Sequence, residues 1–107
     1  MGATIAELLE TAEKCRARAT EDPGHRAELA DALLNLAVAY NDHGEFPDAV
    51  ATAEEAVETW RSVAADHPDR LAGLASALAT LSDYYLAIGL ADEANAIAAE
   101  AANLGQH

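Results

Sequence analysis

Residues 29–44 read LADALLNLAVAYNDHG, and residues 74–89 read LASALATLSDYYLAIG. Offset by 45 positions, Leu29, Ala30, Ala32, Leu33, Leu36, Tyr40 and Gly44 fall on Leu74, Ala75, Ala77, Leu78, Leu81, Tyr85 and Gly89 without a gap. The register runs outward in both directions. Ala49, Ala53, Glu55 and Ala56 meet Ala94, Ala98, Glu100 and Ala101. Glu10, Glu13, Arg16, Ala19 and Pro23 meet Glu55, Glu58, Arg61, Ala64 and Pro68. Alanine matches alone arise easily in a chain with 28 alanines among 107 residues, but glycine, proline, tyrosine and arginine matches in one register do not. The chain therefore reads as two full units preceded by half a unit.

Within each unit the apolar spacing is helical. Leu29, Leu33, Leu36 and Tyr40 stand four, three and four residues apart, as do Leu74, Leu78, Leu81 and Tyr85. Gly44 and Gly89 are placed to end these helices in the left-handed conformation. Pro47 and Asp48 suit the start of the next helix, whose stripe is Ala49, Ala53, Ala56, Val57 and Trp60. Asp22-Pro23 reads as a cap and first helical position, and Asp66-His67-Pro68-Asp69 as its counterpart. Five helices are expected, at 3–20, 24–42, 47–65, 69–87 and 91–104. They form one domain over residues 1–107, divided into a half repeat (3–20), a first full repeat (24–65) and a second (69–104). The connections are short, so neighbouring helices pack antiparallel.

Composition agrees and excludes several classes. An Ala- and Leu-rich chain with 5% aromatic residues is a helix former, not an all-β, collagenous, disordered or disulfide-rich one. Six basic residues against 19 acidic give a net charge of −13, which repels phosphate backbones and anionic membranes. Neither nucleic acid nor a membrane is an expected partner. The segment Met1–Glu10 has no basic region of the signal-peptide kind, and no stretch reaches the ~18 apolar residues of a span. The single Cys15 forms no intrachain disulfide and suits a reducing compartment, so a cytoplasmic location is expected.

The ordered set Leu33, Leu36, Ala37, Tyr40, Gly44, Phe46, Ala49, Ala53, Ala56, with Leu78, Leu81, Ser82, Tyr85, Gly89, Ala94, Ala98, Ala101 one unit later, resembles the tetratricopeptide repeat. There, small residues let paired helices approach, an aromatic fills the gap and glycine makes the turn. The likeness covers roughly residues 4–104. Leu33 replaces the usual tryptophan, and the 45-residue period exceeds the common ~34. In its length the repeat is similar to the longer bacterial arrays and to the kinesin-light-chain type. The resemblance implies an all-α fold of antiparallel helix-turn-helix repeats in a short right-handed solenoid.

It also implies a function. In this family the first helix of each pair lines a concave groove, and the groove positions map to Asp31, Leu34, Val38, Asn41 and Asp42, then Ser76, Ala79, Asp83, Leu86 and Ala87. Lysine and arginine, which let relatives clasp acidic chaperone tails, are missing there. The groove instead reads as apolar with an acidic rim. Asp31, Leu34, Val38, Asn41, Asp83 and Leu86 are the candidate contacts for a peptide or amphipathic helix of a protein partner. Two other readings stand beside this one. The leftover half unit and the Ala-rich last helix suit a self-associating element, a homo-oligomer with or without exchanged helices. They also suit a sensory slice of a larger bacterial regulator.

Catalysis is not expected. No phosphate loop, serine elbow or paired-histidine motif occurs, and His25, His43, His67 and His107 lack metal-ligand spacing, so neither cofactor nor metal is assigned. Cys15 is the repeat counterpart of Trp60 and should face a neighbouring helix. Glu13/Arg16 and Glu58/Arg61 read as i,i+3 ion pairs on exposed faces, and Glu10, Glu55 and Glu100 as a recurring row of structural or partner-binding carboxylates. Tyr84, next to the shared aromatic position, either packs in the core or reaches the groove edge.

Overall fold

The computed structural model describes residues 3–104. Among them are five α-helices: α1 (Ile5–Glu21), α2 (Arg26–Asp42), α3 (Phe46–Asp66), α4 (Leu71–Ala87) and α5 (Ala91–Leu104). Each packs against the next in chain order. The fold is all-α, an antiparallel zigzag of helical repeats, as the 45-residue register implies. His107 lies outside the described residues.

The helix boundaries follow from local chemistry. Thr4 caps α1 in a capping box: its hydroxyl accepts from the Glu7 N–H at 3.2 Å, and its own N–H donates to the Glu7 carboxylate at 3.1 Å. These bonds to the ionised form hold the exposed Glu7 carboxyl below its usual range, the backbone bond first and the hydroxyl second. The second and fourth helices begin later than the expected residues 24 and 69. Pro23–His25 and Pro68–Arg70 form single 3₁₀ turns first. Asp22 accepts the Gly24 N–H at 2.9 Å, which tightens the turn after Pro23. Asp66 does not cap in the same way. Its carboxylate reaches across to Arg26 on α2. Pro47 is the second residue of α3, not the first, because Phe46 is already helical.

Two turns close the repeats in the same manner. Gly44 has φ +77° and Gly89 φ +85°, a region open to glycine without a Cβ penalty. Gly44 N–H donates to Asn41 O at 3.1 Å and Glu45 N–H to Tyr40 O at 2.9 Å. One unit on, Gly89 N–H donates to Leu86 O at 3.1 Å and Leu90 N–H to Tyr85 O at 2.8 Å. These paired bonds are the Schellman arrangement.

The core is built from the repeat stripes. Ala12, Cys15, Leu29, Leu33, Leu36 and Ala56 form one cluster, while Val57, Trp60, Leu74, Leu78, Leu81 and Tyr84 belong to a larger one. Leu34 and Tyr40, half-buried, pack against both. Alanines at 30, 37, 49, 53, 56, 77 and 94 are fully buried, so the small residues sit where helices approach. Ser82 takes the Ala37 position and donates its hydroxyl to Ala94 O at 2.9 Å, which ties α4 to α5 and leaves no unpaired polar group there. Trp60 and Cys15 are equivalent and both buried. Trp60 packs against Gly73 so closely that a Cβ there would stand 2.6 Å from the ring.

The end helices differ from α3 in an ordered way. Where α3 buries Ala49, Ala56 and Val63, the α1 cap Thr4 and the α1 residues Thr11 and Arg18 are exposed. Where α3 buries Val50 and Val57, α5 carries the exposed Asn95 and Ala102. These outward positions hold no large apolar side chain.

Candidate interaction surface

Helices α2 and α4 run parallel, and residues related by the repeat lie on the same side of the stack. Each helix leaves one stripe uncovered. On α2 it is Asp31, Asn35, Val38 and Asp42, and on α4 it is Ser76, Ala79, Asp83, Leu86 and Ala87, all exposed. Of the six residues singled out from the sequence, Asp31, Val38, Asp83 and Leu86 lie in these stripes. Val38 is 42% exposed and Leu86 54%. Leu34 and Asn41 are half-buried, and Leu34 turns mainly inward to both core clusters.

Electrostatics on this side are acidic. Tyr84 is buried, so it belongs to the core and does not stand at the groove edge. Its phenol is pushed up first by burial, then by the nearby Asp42 and Asp83 charges.

Ion pairs link α1, α3 and α5. Arg16 on α1 binds Glu55 on α3, not Glu13 as the sequence spacing suggested. Arg61 binds Glu100 on α5 at 2.7 Å and also its own-helix Glu58. The i,i+3 expectation therefore holds for Arg61 and fails for Arg16, whose guanidinium pairs with Glu55 alone among the described residues. The two cross-helix pairs are one repeat apart, so they form a ladder linking α1, α3 and α5. Glu55 and Glu100 are its partners, and Glu10 pairs with Lys14 at 3.2 Å. The glutamate row is thus occupied by internal bonds. Between the C-terminal halves of α1 and α3 an open cleft of about 340 Å³ lies over Ala19 and Leu29, with Thr20, Arg26, Thr59 and Ser62 on its walls. Arg26 crosses it to Ser62 and Asp66.

The remaining titratable groups have structural surroundings. His43 Nδ1 donates to Ala39 O at 2.9 Å, the carbonyl that also accepts the His43 backbone N–H at 3.1 Å. Among the described residues no three His, Cys, Asp or Glu side chains are grouped to hold a metal ion. No helix among them is long and apolar enough to cross a membrane.

The profile of the tetratricopeptide repeat matches residues 29–69, which hold most of α2, the Gly44 turn and all of α3. Residues 29–69 are a tetratricopeptide repeat. The α4–α5 unit follows this tetratricopeptide repeat in the 45-residue register with the same turn bonds. No curated protein and no solved structure matches the chain.

One surface feature escaped sequence reasoning. The turn after α2 reads Asn41-Asp42-His43-Gly44-Glu45, and the equivalent turn after α4 reads Leu86-Ala87-Ile88-Gly89-Leu90. The backbone is the same, yet every polar side chain has been replaced by an apolar one. Ile88 and Leu90 remain 39% and 38% exposed. Comparison of the two turns in the repeat register carries the signal.

Proposed function

We propose that the chain is a protein–protein interaction module that takes a peptide or an amphipathic helix on the side formed by α2 and α4. The single observation behind this reading is the pair of uncovered stripes on α2 and α4. Val38 and Leu86 stand in them among Asp31, Asp42 and Asp83. Packed helices supply a rigid platform, exposed apolar side chains gain by leaving water, and the carboxylates select and orient a partner. A tetratricopeptide repeat at residues 29–69 agrees with a protein partner. The reading assigns no catalysis and no cofactor. The lone buried thiol of Cys15 suits a reducing compartment, and we place the protein in the cytoplasm on that ground.

Selection from a random peptide library tests this. Enriched peptides should lose binding to the Val38→Glu, Leu86→Glu double variant while its helical circular dichroism is retained. Binding that survives both substitutions would move the site elsewhere. Self-association is the second reading, favoured by the exposed Leu86, Ile88 and Leu90. A charge of −13 on each copy opposes it, and the outward positions Thr4, Thr11, Arg18, Asn95 and Ala102 offer it no large apolar side chain.

A further inference from the structure

Resting on the interaction-module reading, we propose that the α4–α5 turn is the centre of docking and that its occupant is a cationic amphipathic segment of another protein. Two equivalent turns share one Schellman backbone, so neither needs apolar side chains to form. The first is built with Asn41, His43 and Glu45, and His43 even bonds the helix end. The second carries Leu86, Ile88 and Leu90 at those positions and gives up that bond. Leu86, Ile88 and Leu90 are 54%, 39% and 38% exposed, so each keeps apolar surface that a partner can cover. Burial against a partner is where such side chains gain free energy.

Charge selects the occupant. The turn is flanked by the exposed Asp83, Asp92 and Glu93, and no lysine or arginine occurs after Arg70. An apolar patch rimmed by carboxylates that make no ion pair among the described residues is complementary to a helix with leucine on one face and lysine or arginine beside it. A second copy would bring the same carboxylates against these, at a cost from like-charge repulsion.

The test uses two synthetic helical peptides with one leucine pattern, the first with lysine and the second with glutamate at its polar positions. They are titrated into the full chain by calorimetry. The key variant transplants the first turn onto the second: Leu86→Asn, Ile88→His and Leu90→Glu. Its side chains already coexist with this backbone at residues 41–45, so the fold is preserved, which circular dichroism verifies. The lysine peptide should bind the native chain, the glutamate peptide should not, and the transplanted variant should bind the lysine peptide about tenfold or more weakly. The variant also adds one negative charge. Equal or tighter binding to it would mean that the apolar side chains of the turn do not hold the peptide, which overturns the proposal. If the transplant has no effect while Val38→Glu abolishes binding, the turn is not the centre and the interaction-module reading survives. No binding of either peptide to the native chain, or a dimer in sedimentation that the transplant dissolves, also overturns the cationic partner.

Discussion

Replacing Gly73 by alanine should destabilise the protein, although glycine inside a helix is ordinarily a site where alanine helps. Gly73 is the third residue of α4. Alanine there gains about 0.5–1 kcal/mol in helix propensity. Against that, an added Cβ would lie 2.6 Å from Trp60 Cη2 and 2.7 Å from Cζ2 and Cζ3. Carbon atoms pack at about 3.5–4.0 Å, so roughly 1 Å of room is missing. The neighbour is a rigid ring that is only 7% exposed, and it cannot swing aside into solvent. Overpacking of this kind costs about 1–3 kcal/mol. The net expectation is a loss of about 1–2 kcal/mol. In a Trp60→Leu background the clash disappears, and the same substitution should stabilise by about 0.5–1 kcal/mol. The coupling between the two sites is then about 2 kcal/mol, within the range of residues in direct contact. Urea denaturation followed by far-ultraviolet circular dichroism measures all four members of the cycle. Stabilisation by Gly73→Ala in the native background, or a coupling under about 0.5 kcal/mol, would refute the reasoning.

Three further outcomes follow from the same packing. Removal of the Arg61–Glu100 pair, in a cycle of Arg61→Gln and Glu100→Gln, should show a coupling of about 0.3–1 kcal/mol, modest because both side chains are more than a third exposed, and it should shrink in molar salt. Gly44→Ala and Gly89→Ala should each cost about 1–2 kcal/mol by thermal unfolding and add together, because nothing lies within 4 Å of either added Cβ and only the positive φ is strained. The Tyr85 phenol is pushed up to about 12, first by burial and then by its 2.6 Å hydrogen bond to Glu54 and the charges of Glu54 and Glu93, with Arg61 opposing. The folded state thus favours the neutral phenol. That stability is fully present below about pH 10 and is lost as pH rises through about 12, and Tyr85→Phe should flatten this part of the unfolding free energy against pH.

Much of the fold is legible in the residues because the repeat makes each local signal appear twice. Leu33 and Leu78, Tyr40 and Tyr85, and Gly44 and Gly89 fix helix faces and turns by spacing alone, and α5 falls at 91–104 as its pattern predicts. The misplaced helix starts have a local cause. A proline lacks the N–H that an α-turn would leave free in any case, and helix propensity does not distinguish an α from a 3₁₀ first turn. Arg16 shows the limit of in-helix spacing. Glu13 is its neighbour along α1, but packing brings Glu55 from α3 to the same guanidinium, and only the tertiary structure supplies that choice. Leu34 shows the same limit at the candidate site: its helical position marks it for the groove side, while α2 rests against two clusters and draws it inward. The apolar second turn was visible in the letters, yet its meaning depends on the identical backbone of the first turn, which only the structure establishes.

The central claim is that the side of the stack formed by α2 and α4 receives a protein partner. Backbone amide chemical-shift mapping with a library-selected peptide tests it most directly. The account predicts shifts concentrated at Asp31, Val38 and Asp83 and from Leu86 to Leu90, with the α1–α3–α5 ion-pair side unmoved. Shifts centred instead on Arg16, Glu55, Arg61 and Glu100 would contradict it.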